Sequence, residues 1–493
     1  METVNEATLA NGTKVKYVFK DDPPRGGMKH TFFSPDKSYV VQFFNDPEIG
    51  KDINIQKRIA AIIGKYNPTV SESGGGAIGN TEESAKYYSE KFCWPTAIIV
   101  SPEFGIVSPA YPSNYFFDSD SSSVAGLDLA GKDKKSNWFT SKNRKYLQES
   151  ELGNFMMMLK IAITLARSVR RMHTAGLAHS DLSNNNVLID PKTGNCVVID
   201  IDSLVVPGLF PPEVAGTRGY IAPEVLETMA YPYGDPRRAL PCIETDLHSL
   251  AVLIYEYLLI RHPLIGPKHI SGISAEEEDF QLMGPQAVFI EDPNDKSNRP
   301  DDLKTTIHDL GPYLESLFIK AFSAGLHSPK ERPTAMEWEQ GLLKTWNLLH
   351  PCENPSCPSK WFVLHDVNIP VCPFCGHKIS NEEIIKFTLN KELKGKPGQW
   401  IKADELVAYH NIPLFKWHIY SDVFADEKAD RELQAYIVKY QGEWLLINQR
   451  IPKMISPGGN LVAPGKAVQL KNGLVFRLSD EENGYLARIT ITK

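Results

Sequence analysis

Cysteine is scarce and unevenly placed: seven in 493 residues, with Cys93, Cys196 and Cys242 isolated and the other four crowded between 352 and 375. An odd, clustered set argues against a disulfide-stapled secreted scaffold and points to a reducing cytosol and a metal site. Positive charge is not in excess. A formal net charge of −7 gives no electrostatic basis for binding nucleic acid or anionic membrane. No apolar run approaches the roughly 20 residues that span a bilayer. The first six residues, Met-Glu-Thr-Val-Asn-Glu, offer neither the basic region nor the apolar core of a signal peptide. The expectation is a cytoplasmic protein with no membrane and no nucleic acid among its partners. The chain is too long for one core, so about two to four domains are expected.

Three segments carry chemistry. In His179-Ser180-Asp181-Leu182-Ser183-Asn184-Asn185-Asn186, an Asp follows a His by two positions and an Asn follows that Asp by five, just before the strand-like Val187-Leu188-Ile189. Downstream, Val197-Val198-Ile199 delivers Asp200-Ile201-Asp202 after a turn at Thr193-Gly194-Asn195. Gly216-Thr217-Arg218-Gly219-Tyr220-Ile221 then runs into Ala222-Pro223-Glu224. Farther on, Asp246 opens an apolar helical run and Arg332-Pro333 precedes another helix. These spacings resemble a divergent bacterial Ser/Thr protein kinase over residues 1–350. The resemblance implies a bilobal kinase-like fold using ATP and Mg²⁺. Asp181 would accept the substrate hydroxyl proton, and Asn186 and Asp200 would hold Mg²⁺. Asp246 would brace the catalytic loop, and Arg332 would form a buried ion pair with Glu224. Gly216-Thr217 favours Ser/Thr over Tyr as acceptor.

The first hundred residues depart from that pattern. The strand that should carry a phosphate-anchoring Lys reads Tyr39-Val40-Val41-Gln42-Phe43-Phe44, and Gln42 supplies no charge. Upstream, Gly26 and Gly27 let the backbone approach phosphates, and Lys29 follows within reach. Lys29 is the expected replacement, with Lys37 the weaker candidate. The helix acid that would pair with it is not evident: residues 53–65 contain none, leaving Glu48, Asp52, Glu83 and Glu90. Pro109 and Tyr111 fall where a lobe-linking hinge would bind adenine. Ser180 replaces the Arg that reads activation-loop phosphate, and Ser183 replaces the Lys that contacts the γ-phosphate. Asp202 stands where Gly is usual, as an added metal ligand or as a turn residue. The competing reading is a pseudokinase scaffold that binds nucleotide or partners without transfer.

The segment 113–148, rich in Ser, Asp, Lys and Asn, reads as a solvated insertion, and 71–86 as flexible. Cys352, Cys357, Cys372 and Cys375, the last followed by Gly376, have the spacing of a closed structural Zn²⁺ ribbon, with His377 a surface neighbour. A basic linker over 391–399 leads to an all-β region with strands at 435–440, 443–448, 467–470, 474–478 and 486–491 and a hairpin signal at Asn472-Gly473. That region reads as a β-sandwich binding module, vaguely resembling a degenerate forkhead-associated domain without its phosphothreonine-reading residues. The expected class is multidomain α+β: N-lobe and hinge 1–112, insertion 113–148, C-lobe 149–350, zinc ribbon 351–380, β-sandwich 400–493. Gly26-Gly27-Met28-Lys29, the Asp-Ile-Asp variant and the domain order also resemble the kinases of the tellurite-resistance-associated phosphorylation triad. That resemblance implies a von Willebrand A protein and a PP2C-type phosphatase as partners.

Overall fold

The computed structural model describes residues 3–23, 28–119, 127–209, 216–268, 274–379, 383–425 and 432–492. It divides into two compact units. One comprises 1–153, 157–303 and 317–339; the other comprises 154–156, 304–316 and 340–493.

The first unit begins with six strands: β1 Thr3–Leu9, β2 Lys14–Phe19, β3 Lys29–Phe33, β4 Tyr39–Phe44, β5 Ala97–Ser101 and β6 Gly105–Pro109. They form one antiparallel sheet in the order β2-β1-β5-β6-β4-β3. The side-chain period of two sorts this sheet into two apolar faces. Val41 and Phe43 join Ala7, Tyr17, Phe32, Ile99 and Val107 on one face. Phe44 and Ile106 lie on the other, under Ile59 of helix α1, Ile53–Ile63. Asp52 caps α1 by accepting the Asn54 N–H at 2.7 Å.

The stretch read as flexible is ordered. Asn80 donates to the carbonyls of Pro68 and Val70 at 2.8 and 2.6 Å, and Ser71 Oγ donates to Glu82 at the start of helix α2, Glu82–Ser89. The segment 113–148 is likewise no solvated loop where it is described. Tyr115, Phe117, Leu129, Phe139 and Leu147 are buried, and Ser136 N–H donates to Val187 O at 2.9 Å. Its polar residues mask a sparse but complete apolar set.

Helix Phe155–Thr174 leads to the loop of Asp181 and Asn186, which is followed by the hairpin of β7 Val187–Asp190 and β8 Asn195–Val198. With its preceding turn it is long and apolar enough to cross a membrane, contrary to the expectation of no such run, but 67% of the qualifying window is buried in the protein. Leu159, Ile161, Ala162, Leu165, Ala166 and Val169 have no exposure, as a core helix requires. Helix Ile243–Leu259 is buried from Thr245 to its end. Buried polar groups need partners, and three of its polar residues find them: Asp246 and Ser249 hold backbone groups, and Glu256 accepts from the Tyr220 hydroxyl.

In the second unit a hairpin, β9 Leu349–Pro351 with β10 Trp361–Val363, carries two of the clustered cysteines nearby. Two four-stranded antiparallel sheets follow and share one core. One is ordered β12-β11-β18-β17, from β11 Ile384–Leu393, β12 Lys396–Ala408, β17 Val475–Arg477 and β18 Leu486–Thr492. The other is ordered β13-β14-β15-β16, from β13 Ile412–Phe415, β14 Leu433–Tyr440, β15 Glu443–Asn448 and β16 Ala467–Gln469. Two expectations are corrected here. Residues 391–399 are the tip of the β11–β12 hairpin, turning at Gly395 with φ +75°, so the two-sheet body starts at Ile384 and not at 400. Asn472-Gly473 does not close a hairpin: it carries the chain from one sheet to the other, and Asn472 accepts the Ile491 N–H at 3.0 Å.

Candidate active site

Directly opposed residues of an antiparallel pair point to the same face. Lys29 opposes Phe44, and Thr31 opposes Gln42, so Lys29 and Gln42 share the face that α1 covers, one strand apart. Gln42 spends its amide on neighbours: Nε2 donates to Thr31 Oγ1 at 3.2 Å, and Oε1 accepts from Ser108 Oγ at 3.5 Å. Lys29, 7% exposed, points its ammonium at the Asp-Ile-Asp turn, where it pairs with Asp202 and lies 3.3 Å from Asp200 Oδ1. Burial alone would lower the Lys29 pKa. The two carboxylates outweigh that and raise it, so this is a fixed cation. Burial pushes the Asp200 carboxyl up, and Lys29 and His179 reverse that to a net lowering.

The two acids differ in access. The Asp200 side chain is 40% exposed and that of Asp202 only 9%. Asp200 can therefore offer oxygen to a cation in the cleft, whereas Asp202 is committed to Lys29. Asp202 is a hydrogen-bonded residue of the turn Ile201–Ser203, and its partner is Lys29. None of the four acids considered for Lys29 holds it in this structure. Glu48 pairs with Lys51, Glu90 lies by Lys91, and Asp52 is the α1 cap.

Asp181 is fixed from both sides. Oδ2 accepts from Asn186 Nδ2 at 2.9 Å, and Oδ1 accepts the Thr217 N–H at 2.7 Å. The same Asn186 amide donates to the Asp181 carbonyl at 2.8 Å. Ile199 N–H donates to Asn186 O at 3.0 Å, and Ile199 O accepts from His179 Nε2 at 2.8 Å, which ties the loop of Asp181 and Asn186 to the residues that run from the strand Asn195–Val198 to Asp200. Asp246 receives the His179 N–H at 2.7 Å and lies 3.1 Å from His173 Nε2. Ser180 and Asp200 both adopt left-handed backbone, φ +67° and +61°, a conformation that non-glycine residues hold only where the surroundings impose it. Ser180 Oγ donates to Ser203 O at 3.0 Å, linking these two strained loops. Ser183 is fully buried and cannot reach a phosphate in the cleft. Arg332 makes a two-pronged pair with Glu224, both contacts at 2.8 Å.

The Pro109 carbonyl accepts from Cys93 Sγ at 3.3 Å, and the Ala110 N–H donates to Ser38 O at 3.1 Å. Tyr111 packs its ring with Tyr115, Leu188, Val197 and Ile199. Cys93 was not expected here. Burial pushes its thiol up to about 12, against the opposing pull of Lys29. Gly26 and Gly27 lie outside the described residues.

Residues 115–341 match the family model described as the protein kinase domain. This region has the protein kinase fold. The matched kinase domain contains Asp181, Asn186, Asp200, Glu224 and Arg332 and begins after Lys29, so the lysine's place rests on geometry alone. Among curated relatives, a probable serine/threonine-protein kinase RTK1 of Saccharomyces cerevisiae is 32% identical over 139 residues, 25% of this chain and 21% of that one. The serine/threonine-protein kinase PknD of Protochlamydia amoebophila is 26% identical over 189 residues, 33% of this chain and 19% of its own. The chain thus spans about a fifth of the length of these relatives. A rhoptry kinase structure from Toxoplasma gondii aligns with 70% of this chain and 84% of its own at a TM-score of 0.39 and 13% identity.

The four clustered thiols converge: all Sγ atoms lie within 4.8 Å of one another, with Cys352–Cys375 at 3.6 Å and Cys357–Cys372 at 3.8 Å. Tetrahedral Zn–S bonds of about 2.3 Å require S···S edges of about 3.8 Å. The donor set therefore fits Zn²⁺. Gly376, at φ +73°, donates its N–H to Cys372 O at 2.8 Å and closes the second knuckle. His377 stands 3.5 Å from Glu353 instead of joining the thiols.

Proposed function

We propose that the chain is an ATP-dependent protein kinase that transfers the γ-phosphoryl group to Ser or Thr hydroxyls of partner proteins, within a cytoplasmic bacterial signalling or stress system. The observation that carries this reading is the convergence of Lys29 on Asp200 and Asp202 from the sheet, in the same unit as the Asp181–Asn186 pair. Asp181, held by Asn186 and Thr217, orients a hydroxyl and takes its proton. Lys29 neutralises phosphate oxygens. Asn186 and Asp200 are the oxygen donors that would hold Mg²⁺, which would supply positive charge to neutralise the phosphates. Positioning and charge neutralisation account for most catalysis of this kind, so each of these residues matters.

The Ser/Thr preference is supported by Gly216-Thr217 and by the distant relatives' names. Resemblance to the tellurite-associated triad supports a von Willebrand A protein as substrate and a PP2C-type phosphatase as the reversing enzyme. In the second unit, Cys352, Cys357, Cys372 and Cys375 would hold a structural Zn²⁺ with no open position. The two-sheet body from Ile384 would serve as a partner-binding module.

The test uses γ-labelled ATP and Mg²⁺ with wild type, Asp181→Ala, Lys29→Ala and Gln42→Ala. Label on wild type and Gln42→Ala only is the expected result. Transfer persisting in Asp181→Ala refutes the assignment. No label on any variant, with nucleotide binding retained, makes the chain a scaffold.

A further inference from the structure

The segment 216–222 forms one wall of the cleft at Asp181. Within it, Thr217 to Tyr220 make a tight turn, closed by the Tyr220 N–H on Thr217 O at 3.0 Å, and Gly219 at φ +92° supplies the positive φ that such turns use. The rear of the turn is fixed to buried groups. His262 Nε2 donates to Gly219 O at 2.8 Å, its tautomer set because Nδ1 accepts the Leu264 N–H at 3.2 Å. Ser249 Oγ donates to Tyr220 O at 2.9 Å. The Thr217 N–H meets Asp181, and Gly216, Thr217, Ile221, Val225 and Pro241 line a small cavity beside that carboxylate.

The outward side chain of the turn, Arg218, is also held. Its Nε donates to Asp279 Oδ1 at 2.5 Å and its Nη2 to Glu278 Oε2 at 3.1 Å. Both acids lie on the helix Ala275–Met283, whose start is fixed by Ser274 Oγ accepting the Glu277 N–H at 3.2 Å. That helix has four consecutive acids and no base, so relief of its like-charge repulsion must come from another element. The helix Pro223–Thr228, which continues from the segment, packs against the same element. The side chains of Arg218, Glu278 and Asp279 are 51%, 29% and 16% exposed, so the link sits where salt can screen it.

We propose that Arg218 is a positioning residue for the protein substrate: it latches the turn to the helix Ala275–Met283 and so holds the cavity wall beside Asp181 in place. The consequence for substrate rests on the kinase reading above. Ser180 stands where an arginine would read a loop phosphate. The Arg218 latch supplies from within the chain the anchoring that such a phosphate would give.

With dephosphorylated casein as acceptor, Arg218→Met should raise the KM for casein about fivefold, the upper end for an exposed pair, and leave the KM for ATP within about twofold. A general loosening would move both. Glu278→Gln with Asp279→Asn should match Arg218→Met, and adding Arg218→Met to that pair should cost nothing more. Reversing all three charges, Arg218→Glu with Glu278→Lys and Asp279→Arg, should recover most of the loss. In about 1 M salt the wild-type and Arg218→Met values should converge. Amide exchange of the full chain, followed by mass spectrometry, reads the latch without catalysis: the peptide over 216–222 should exchange about fivefold faster in Arg218→Met and return in the charge-reversed variant. Unchanged exchange there, or an unchanged casein KM, overturns the proposal. If casein is not phosphorylated, the exchange measurement alone decides the latch, and absence of any transfer, autophosphorylation included, counts against the kinase reading.

Discussion

Removing Arg332 should damage the first unit more than any single surface change. Its side chain is 1% exposed, and that of Glu224 is 26% exposed. Its guanidinium donates to both Glu224 oxygens at 2.8 Å and to the carbonyls of Gly325, Glu244 and Leu326 at 2.8, 2.8 and 3.3 Å. Arg332→Met keeps much of the apolar stem and strips every one of these bonds. Breaking a buried pair from one side costs roughly 3–5 kcal/mol. The partial exposure of Glu224 lowers its share, and three orphaned carbonyls add to the total, which leaves about 4 kcal/mol. In a unit of this size, 1 kcal/mol moves Tm by about 2 °C, so the shift should be about 8 °C. Glu224→Gln should cost less, about 2 kcal/mol, because the guanidinium keeps its carbonyls and an amide oxygen. Differential scanning fluorimetry, checked by urea titration of intrinsic fluorescence, measures both. An Arg332→Met Tm within 2 °C of wild type, or a larger loss from Glu224→Gln, would refute the reasoning.

Lys29→Ala should lower phosphotransfer at least about a hundredfold, the usual scale for losing a charge-stabilising donor, while Gln42→Ala, which breaks only links to Thr31 and Ser108, stays within about threefold of wild type; steady-state kinetics checks this. Glu256 is pushed up to about 8 by burial, partly offset by the Tyr220 hydroxyl. An acid raised in the folded state holds a proton that the unfolded chain has released, so stability falls as pH rises from about 4.5 to about 8. Glu256→Gln should flatten that slope and melt higher than wild type at pH 8, and Tm recorded against pH reads both. Stripping Zn²⁺ with a chelator should expose four reactive thiols from Cys352, Cys357, Cys372 and Cys375 and lower the melting of the second unit. Thiol titration before and after chelation checks the count.

What was legible in the sequence was what lies close together in it. Asp181 and Asn186 are five residues apart, and Asp200 follows a short hairpin, so spacing alone placed them. The Arg332–Glu224 pair was legible because both ends sit in recognisable segments. The cysteines were legible through their two close pairs. The partner of Lys29 was not, because Asp202 lies on a turn and not on the helix where the kinase pattern puts that acid. The segment 113–148 misled through composition, since a few aromatic and leucine residues suffice to bury a polar-rich stretch. Residues 391–399 misled similarly, because Lys, Gly and Pro suit an exposed hairpin tip as well as a linker. Neither opposing sheet faces nor long-range ion pairs leave a local pattern.

The self-satisfied hinge bears on nucleotide choice and on inhibitor chemistry. A purine is ordinarily told apart by backbone groups that accept from or donate to its edge. Here Cys93 already engages the Pro109 carbonyl, and Ser38 holds the Ala110 N–H. On the proposed kinase reading with Pro109 to Tyr111 as the hinge, discrimination between adenine and guanine would depend on shape and stacking near Tyr111, and GTP should compete with ATP more effectively than at an open hinge. Compounds built on the standard purine-mimetic donor–acceptor pair should bind weakly. Those that displace the Cys93 thiol from Pro109 would gain selectivity for this chain.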